Sequence, residues 1–159
     1  MHSRIYQVSE KPITTFADEY RYEDWFVGTH ADYVSSVEYQ SEDYMSDLKW
    51  LQNATEGIKV DLKKGTITVV SKKEYFDDKH DAFKDILEEL SDTTLEEFSN
   101  SNHSLWSKMY ELKATYEDES SFYIDDNYEN LGITPLDNWV RNVEEGKEYY
   151  IGTITDYHN

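Results

Sequence analysis

Ile58-Lys59-Val60-Asp61-Leu62-Lys63-Lys64-Gly65-Thr66-Ile67-Thr68-Val69-Val70-Ser71-Lys72-Lys73-Glu74 is the stretch that decides the fold class. In its first half Ile58, Val60 and Leu62 alternate with Lys59, Asp61 and Lys63. A period of two puts the three apolar side chains on one face of a strand. Lys64-Gly65 supplies a turn, since glycine reaches the positive-φ backbone of tight hairpins at little steric cost. The β-rich run Ile67-Thr68-Val69-Val70 returns as a second strand. Ser71 and Glu74 then stand at capping-box spacing, where hydroxyl and carboxylate each satisfy a backbone N–H of a helix start. From there the period changes to 3.6. Tyr75, Phe76, Ala82, Phe83, Ile86, Leu87 and Leu90 form one apolar face of a helix over residues 72–90. That face is expected to bury Phe76, Phe83, Ile86 and Leu87.

The rest of the chain is read outward from this unit. On the C-terminal side, Thr94 and Glu97 repeat the capping spacing and predict a short helical turn over 94–98. A helix over 104–116 carries Leu105, Trp106, Met109, Leu112 and Tyr116 as its stripe, and residues 117–121 are a polar break. Phe122-Tyr123-Ile124 reads as a short strand. Thr134-Pro135 opens a last helix, with Thr134 as cap and proline at the first helical position. Its buried face is Leu136, Trp139, Val140 and Val143, with Gly146 as the stop. Residues 148–155 close the chain as β structure. On the N-terminal side, residues 4–8 read as an opening or edge strand. Ser41 caps a helix to about Ala54, with Glu42 and Asp43 in its first turn and Tyr44, Met45, Leu48 and Leu51 as its stripe. Residues 10–40 interleave aromatics and acids, and a short helix over 31–37 is expected there. No repeat, low-complexity block or linker interrupts the pattern. The expectation is one α+β domain over 1–159, a small antiparallel or mixed sheet with about four helices packed on it.

Leu, Ile, Val and Phe make up about a fifth of the chain, close to the level below which a highly charged chain tends not to fold. Fourteen Tyr and four Trp tip the balance toward a folded, aromatic-rich core. Cysteine is absent, which excludes disulfides, thiol nucleophiles and cysteine-based metal sites. No apolar run has the length of a signal peptide or a membrane span, so a soluble, cytoplasmic protein is expected.

Motifs for catalysis fail one by one. Glycines are not clustered for a phosphate loop or dinucleotide fingerprint, and there is no Gly-x-Ser-x-Gly or His-Glu-x-x-His. The five histidines are dispersed, and only Asp77 and His80 share a helical face at ligand spacing. Asp125-Asp126-Asn127-Tyr128-Glu129 resembles the start of a calcium loop, but Asn130 stands where such a loop needs glycine and Leu136 where it needs glutamate. No metal, cofactor or catalytic residue is therefore assigned. Trp25, Phe26 and Trp50 are able to stack a sugar or a base, though core or edge packing is the plainer role.

Charge carries the remaining information. Acids outnumber bases 34 to 15, for a net charge of −19. Such a surface repels nucleic acid and anionic membranes and attracts basic partners. On the 72–90 helix, Asp77, Asp81, Asp85, Glu88 and Glu89 lie opposite the apolar stripe. At a rise of ~1.5 Å per residue, carboxylates four apart lie about 6 Å from one another, near the phosphate spacing of a nucleic-acid strand. A second acidic belt spans residues 10–56. Between the belts lie Lys59, Lys63, Lys64, Lys72 and Lys73, expected to pair with the flanking acids. The reading that follows is a non-enzymatic binding protein that masks a basic surface of another protein, either as a nucleic-acid mimic or as an immunity-type inhibitor. The Asp77–Glu89 row is its contact face, and neither nucleic acid nor membrane is a direct partner. The alternative is a small hydrolase using carboxylates in an unrecognised cleft, with or without a divalent metal. Oligomeric state is not encoded in any motif.

Overall fold

The computed structural model describes residues 2–14, 33–100, 103–126 and 132–158. They form seven strands and five helices: β1 His2–Ser9, β2 Tyr33–Ser36, α1 Glu42–Ala54, β3 Ile58–Asp61, β4 Thr66–Val69, α2 Lys72–Ser91, α3 Leu95–Ser99, α4 His103–Tyr116, β5 Phe122–Asp126, β6 Gly132–Pro135, α5 Leu136–Asn142 and β7 Glu148–His158. All strands join one mixed sheet in the order β3-β4-β7-β1-β5-β6, with β2 pairing β7 off this path. The long closing strand β7 is its axis. One edge of β7 pairs with β1, and the other pairs first with β4 and then, near the C-terminus, with β2. β1 also pairs with β5 in parallel, while the other described pairings are antiparallel. The α+β expectation is met, with a larger sheet than the one hairpin implied. β1 opens the chain but lies inside the sheet, not at its edge.

The hairpin of β3 and β4 forms in the expected register, Val60 opposite Ile67. Asp61 sets its turn: its carboxylate accepts the N–H groups of Lys63 and Lys64 at 3.0 Å each, and these bonds lower its pKa. Ser71 accepts the Glu74 N–H at 3.1 Å. The reciprocal half of the expected box does not form: the Ser71 N–H goes to the Gly57 carbonyl at 3.1 Å, and Glu145 accepts the Lys72 N–H at 2.6 Å. Thr94 and Glu97 form the complete reciprocal box. Gly57 is held by close approach of backbone. At φ +69°, an added Cβ would stand 2.3 Å from the Ser71 carbonyl oxygen, and backbone cannot give way there.

The main core lies on one face of the sheet. α1 contributes Tyr44, Leu48 and Leu51, α5 contributes Leu136, Trp139 and Val140, and the strands contribute Tyr6, Ile67, Ile124, Tyr149 and Ile154. A second cluster, Ile5 and Tyr157 with Val34, Tyr123 and Ile133 against them, occupies the other face; no described helix joins it. β1 and β7 slip register between Tyr6 and Val8. There the Gln7 side chain accepts the Thr153 N–H at 3.0 Å, and Tyr44 donates its hydroxyl to the Gly152 carbonyl at 2.8 Å. The bulge thereby anchors α1 to the axis strand.

Three expectations are corrected. Residues 33–36 are a strand, not part of a helix over 31–37; Ala31 and Asp32 lie outside the described residues. Their backbone completes the β7 edge that β4 leaves free. Thr134 does not cap α5: it lies buried in β6, its hydroxyl accepts from the Asn138 side chain at 2.6 Å, and Pro135 takes the cap position without a side-chain bond. The largest correction concerns α2. Only Tyr75 of that helix is buried. Phe76, Phe83 and Ile86 are half-buried and Leu87 is 42 % exposed. After its first turns α2 leaves the sheet and packs on α4, and α3 and α4 bury no residue fully. The three helices form an arm. Its apolar stripe is covered by one helix rather than by a sheet and a helix, so the burial is partial.

Candidate protein-binding face

The arm is rooted by one buried carboxylate. Asp137, in the first turn of α5, has a side chain 1 % exposed. Its Oδ1 accepts the Tyr75 hydroxyl at 2.6 Å and Lys79 Nζ at 2.6 Å. Its Oδ2 accepts the Asp118 N–H at 2.7 Å and Lys79 again at 2.8 Å. Three segments meet there: α2, α5 and the polar break after α4. Burial first, and the neighbouring Asp137 carboxylate second, push the Tyr75 phenol far above its ordinary range, so it remains a donor. Arg141 closes the same junction. Its guanidinium lies 4.0 Å from the Tyr116 ring centroid and 4.7 Å from that of Phe76, and it donates to the Tyr116 carbonyl.

Asp77, Asp81, Asp85, Glu88 and Glu89 are all exposed; the first four lie away from Tyr75 and Ile86, and Glu89 lies on the α4 side. Four of the five remain a continuous row. Glu89 is drawn across to α4, where Lys108 meets it at 2.6 Å. Asp81 has His80 Nδ1 at 3.9 Å. Asp77, Asp85 and Glu88 have no side-chain hydrogen bond or ion pair among the described residues. Like charges at this spacing cost roughly 0.2–0.5 kcal/mol per pair; Lys73 and Lys84 stand one turn from Asp77, Asp81 and Glu88 but form no ion pair with them among the described residues. Among the described residues no ion pair joins the lysine island to the acidic belts. Lys64 meets Glu148 of β7 at 3.5 Å and Lys72 donates to the Arg141 carbonyl at 2.8 Å. Neither contact reaches a belt.

A polar groove of about 390 Å³ lies between β2 and α1. Arg4 forms its floor, donating to Asp47 at 2.8 Å and to Asp156 at 2.5 Å. Glu38 and Asp43 stand on the rim. Burial raises the pKa of Asp47, against the pull of Arg4. Sequence reading missed this cluster because its three members come from β1, α1 and β7, with no local signature. Trp50 lies 40 % exposed beside it, against Phe122 with centroids 4.7 Å apart, which is edge packing. Trp25 and Phe26 lie outside the described residues.

The calcium-like segment is resolved into two buried strand residues. Asp126 accepts the Trp139 indole N–H at 2.8 Å. Asp125 is 2 % exposed, and one of its oxygens has no hydrogen-bond partner among the described residues. Burial first and Asp126 second push its pKa up to about 6. Residues 127–131 lie outside the described residues, and Leu136 is core. Among the described residues no group of three acids or histidines is placed to hold a metal, and no helix is long and apolar enough to cross a membrane. Comparison of the chain with protein-family models, curated proteins and solved structures finds no match.

Proposed function

We propose that the protein is a non-enzymatic binding protein whose α2 face masks a basic surface of another protein. The observation that carries the proposal is the row Asp77, Asp81, Asp85 and Glu88: exposed, on a helix bonded to α5 at its root, with Asp77, Asp85 and Glu88 making no side-chain hydrogen bond or ion pair among the described residues. A solvated helix gains nothing from such a row. A partner's arginine and lysine side chains do, because attraction between complementary potentials speeds encounter and fixes orientation. A row spaced like backbone phosphates fits a surface that otherwise binds nucleic acid.

The test is capture from an extract of the native cells by the parent and by the Asp77→Lys, Asp81→Lys, Asp85→Lys variant, followed by association rates at two salt concentrations. The expected result is slower association for the variant, a steep loss of rate with salt for the parent, and an unchanged melt. Equal association rates would reduce the row to a solvated face. The hydrolase reading has its own support in the Arg4 groove, where Asp47, Asp156, Asp43 and Glu38 converge. Arg4 bridges two of them, which leaves neither as a free base.

A further inference from the structure

We infer that the junction of α2, α4 and α5 is a binding site for a small aromatic carboxylate. A cavity of about 320 Å³ opens there, between the root of α2 and the end of α4. That is the lower end of the range for small-molecule sites, which are mostly apolar with a few placed polar groups. Its walls are the rings of Phe76, Phe83 and Tyr116, and Thr115 lines it from α4. The polar groups are those of Lys79 and Arg141, both half-buried, while the exposed His80 stands on the open side.

Charge selects one end of the occupant. Acids outnumber bases 34 to 15 in the chain, yet no acid lines this cavity, and Lys79 and Arg141 do. Asp137 holds Lys79 from outside the lining: its carboxylate is 1 % exposed, and its contacts at 2.6 and 2.8 Å take at most two of the three ammonium donors. Arg141 donates to the Tyr116 carbonyl, but its Nη1 has no hydrogen-bond partner. The Glu117 carboxylate lies 3.9 Å from that nitrogen, beyond hydrogen-bond reach. The junction therefore holds more donors than acceptors, and an occupant has to bring acceptors. A carboxylate is the acceptor that ammonium and guanidinium groups bind most strongly.

The walls select the other end. Arg141 lies between Phe76 and Tyr116, 4.7 and 4.0 Å from the two ring centroids, so the cation and the aromatic wall form one surface. An aromatic body meets such rings by offset or edge contacts, and its carboxylate then lies within reach of the cations that adjoin them. A neutral apolar molecule leaves the donors unmet, and an aromatic ammonium sets cation against cation. The volume admits a molecule of one or two rings; a protein helix, about 10 Å across with its side chains, does not fit.

The experiment is an amide NMR titration of the purified full chain with three probes of one shape: 2-naphthoate, naphthalene-2-carboxamide and 2-naphthylmethylammonium. The expected result is saturable 2-naphthoate shifts gathered at Phe76, His80, Phe83, Thr115 and Arg141, with a Kd of about 1 mM or tighter, as suits a ligand of this size. The carboxamide is expected to bind several-fold more weakly and the ammonium at least about tenfold more weakly, because each loses the charge-assisted bonds. Thr115→Phe fills the cavity from a half-buried position and is expected to abolish these shifts while the chain still melts cooperatively. The probe series uses the parent chain, so it decides the matter even where that variant fails to fold. Absence of saturable shifts up to about 10 mM, shifts centred instead on Trp106 and Tyr110, an ammonium that binds as well as the carboxylate, or binding unchanged in a folded Thr115→Phe variant overturns the inference.

Discussion

Replacing Asp137 with alanine tests the account of how the arm is held. The carboxylate serves three donors from a site 1 % exposed. Its removal leaves the buried Tyr75 hydroxyl and the half-buried Asp118 N–H without their acceptor. Each such orphan costs about 1–3 kcal/mol. Lys79, 30 % exposed, turns to solvent at smaller cost. The sum is about 3–5 kcal/mol, the range found when one member of a buried pair is deleted. For a chain of this length, each kcal/mol shifts the melting midpoint by about 2–4 °C, so the expected drop is about 6–20 °C. The near-isosteric Asp137→Asn variant is not a rescue. Donors approach both oxygens, so either amide orientation sets an NH₂ against a donor, and this change is expected to cost at least about 1 kcal/mol. Tyr75→Phe removes one donor and leaves the acceptor busy, at about 1 kcal/mol. Urea unfolding of the parent, the Asp137→Ala and Tyr75→Phe single variants and their double variant measures the coupling directly. The double variant should cost clearly less than the sum of the two. An Asp137→Ala loss below about 1 kcal/mol, or strict additivity, would refute the reasoning.

Further outcomes follow from burial and charge. Asp125 binds its proton more tightly in the folded chain, with its pKa near 6 against about 3.9 unfolded. Between those values the native state carries the extra proton, so stability falls as pH rises from ~4 to ~6 and stays lower above it, by at most ~3 kcal/mol. Asp125→Asn should remove that segment of the curve and stabilise the protein at pH 7; parallel curves for parent and variant would reject the assignment. Trp139→Ala should cost about 3–5 kcal/mol, since the ring is fully buried, whereas Phe83→Ala should cost about half as much; equal losses in urea unfolding would mean that the arm is packed like the core. The melting midpoint should rise with NaCl, as the Debye length falls from ~30 Å at 0.01 M to ~3 Å at 1 M, and a flat or falling midpoint would show that the acids are already compensated.

What the sequence made legible was local. The hairpin register, the Ser41, Ser71 and Thr94 caps and the core stripe of α5 each rest on residues a few positions apart, and each appears in the structure. What it hid depends on residues far apart. The Arg4 bridge joins Asp47 and Asp156, and the Asp137 hub joins Tyr75 and Asp118. No spacing rule announces such pairs in a chain where any acid has many acidic neighbours. The α2 stripe failed differently. A 3.6 period states that a helix has an apolar side, but not how much covers it. Phe83, Ile86 and Leu87 satisfy the period equally well under a sheet or under one exposed helix.

That difference links stability to the proposed function. α2 beyond Tyr75 contributes little to the main core, so reversing Asp77, Asp81 or Asp85 perturbs the fold little. The row is free to serve a partner without serving the fold. The reverse does not hold. Any force a partner applies to the row reaches the sheet through the first turns of α2, where polar bonds run to Asp137, to Glu145 and to the Arg141 carbonyl. Asp137 joins α2 both to α5 and to the segment after α4, so weakening it is expected to loosen the arm before the sheet. In native-state hydrogen exchange, amides of α2 and α4 should lose protection in Asp137→Ala well before those of β1 and β7, because local opening needs fewer buried contacts broken than global unfolding. If all four elements lose protection together, the arm is part of the sheet's cooperative unit, and the acid row is held by the whole fold rather than by one carboxylate.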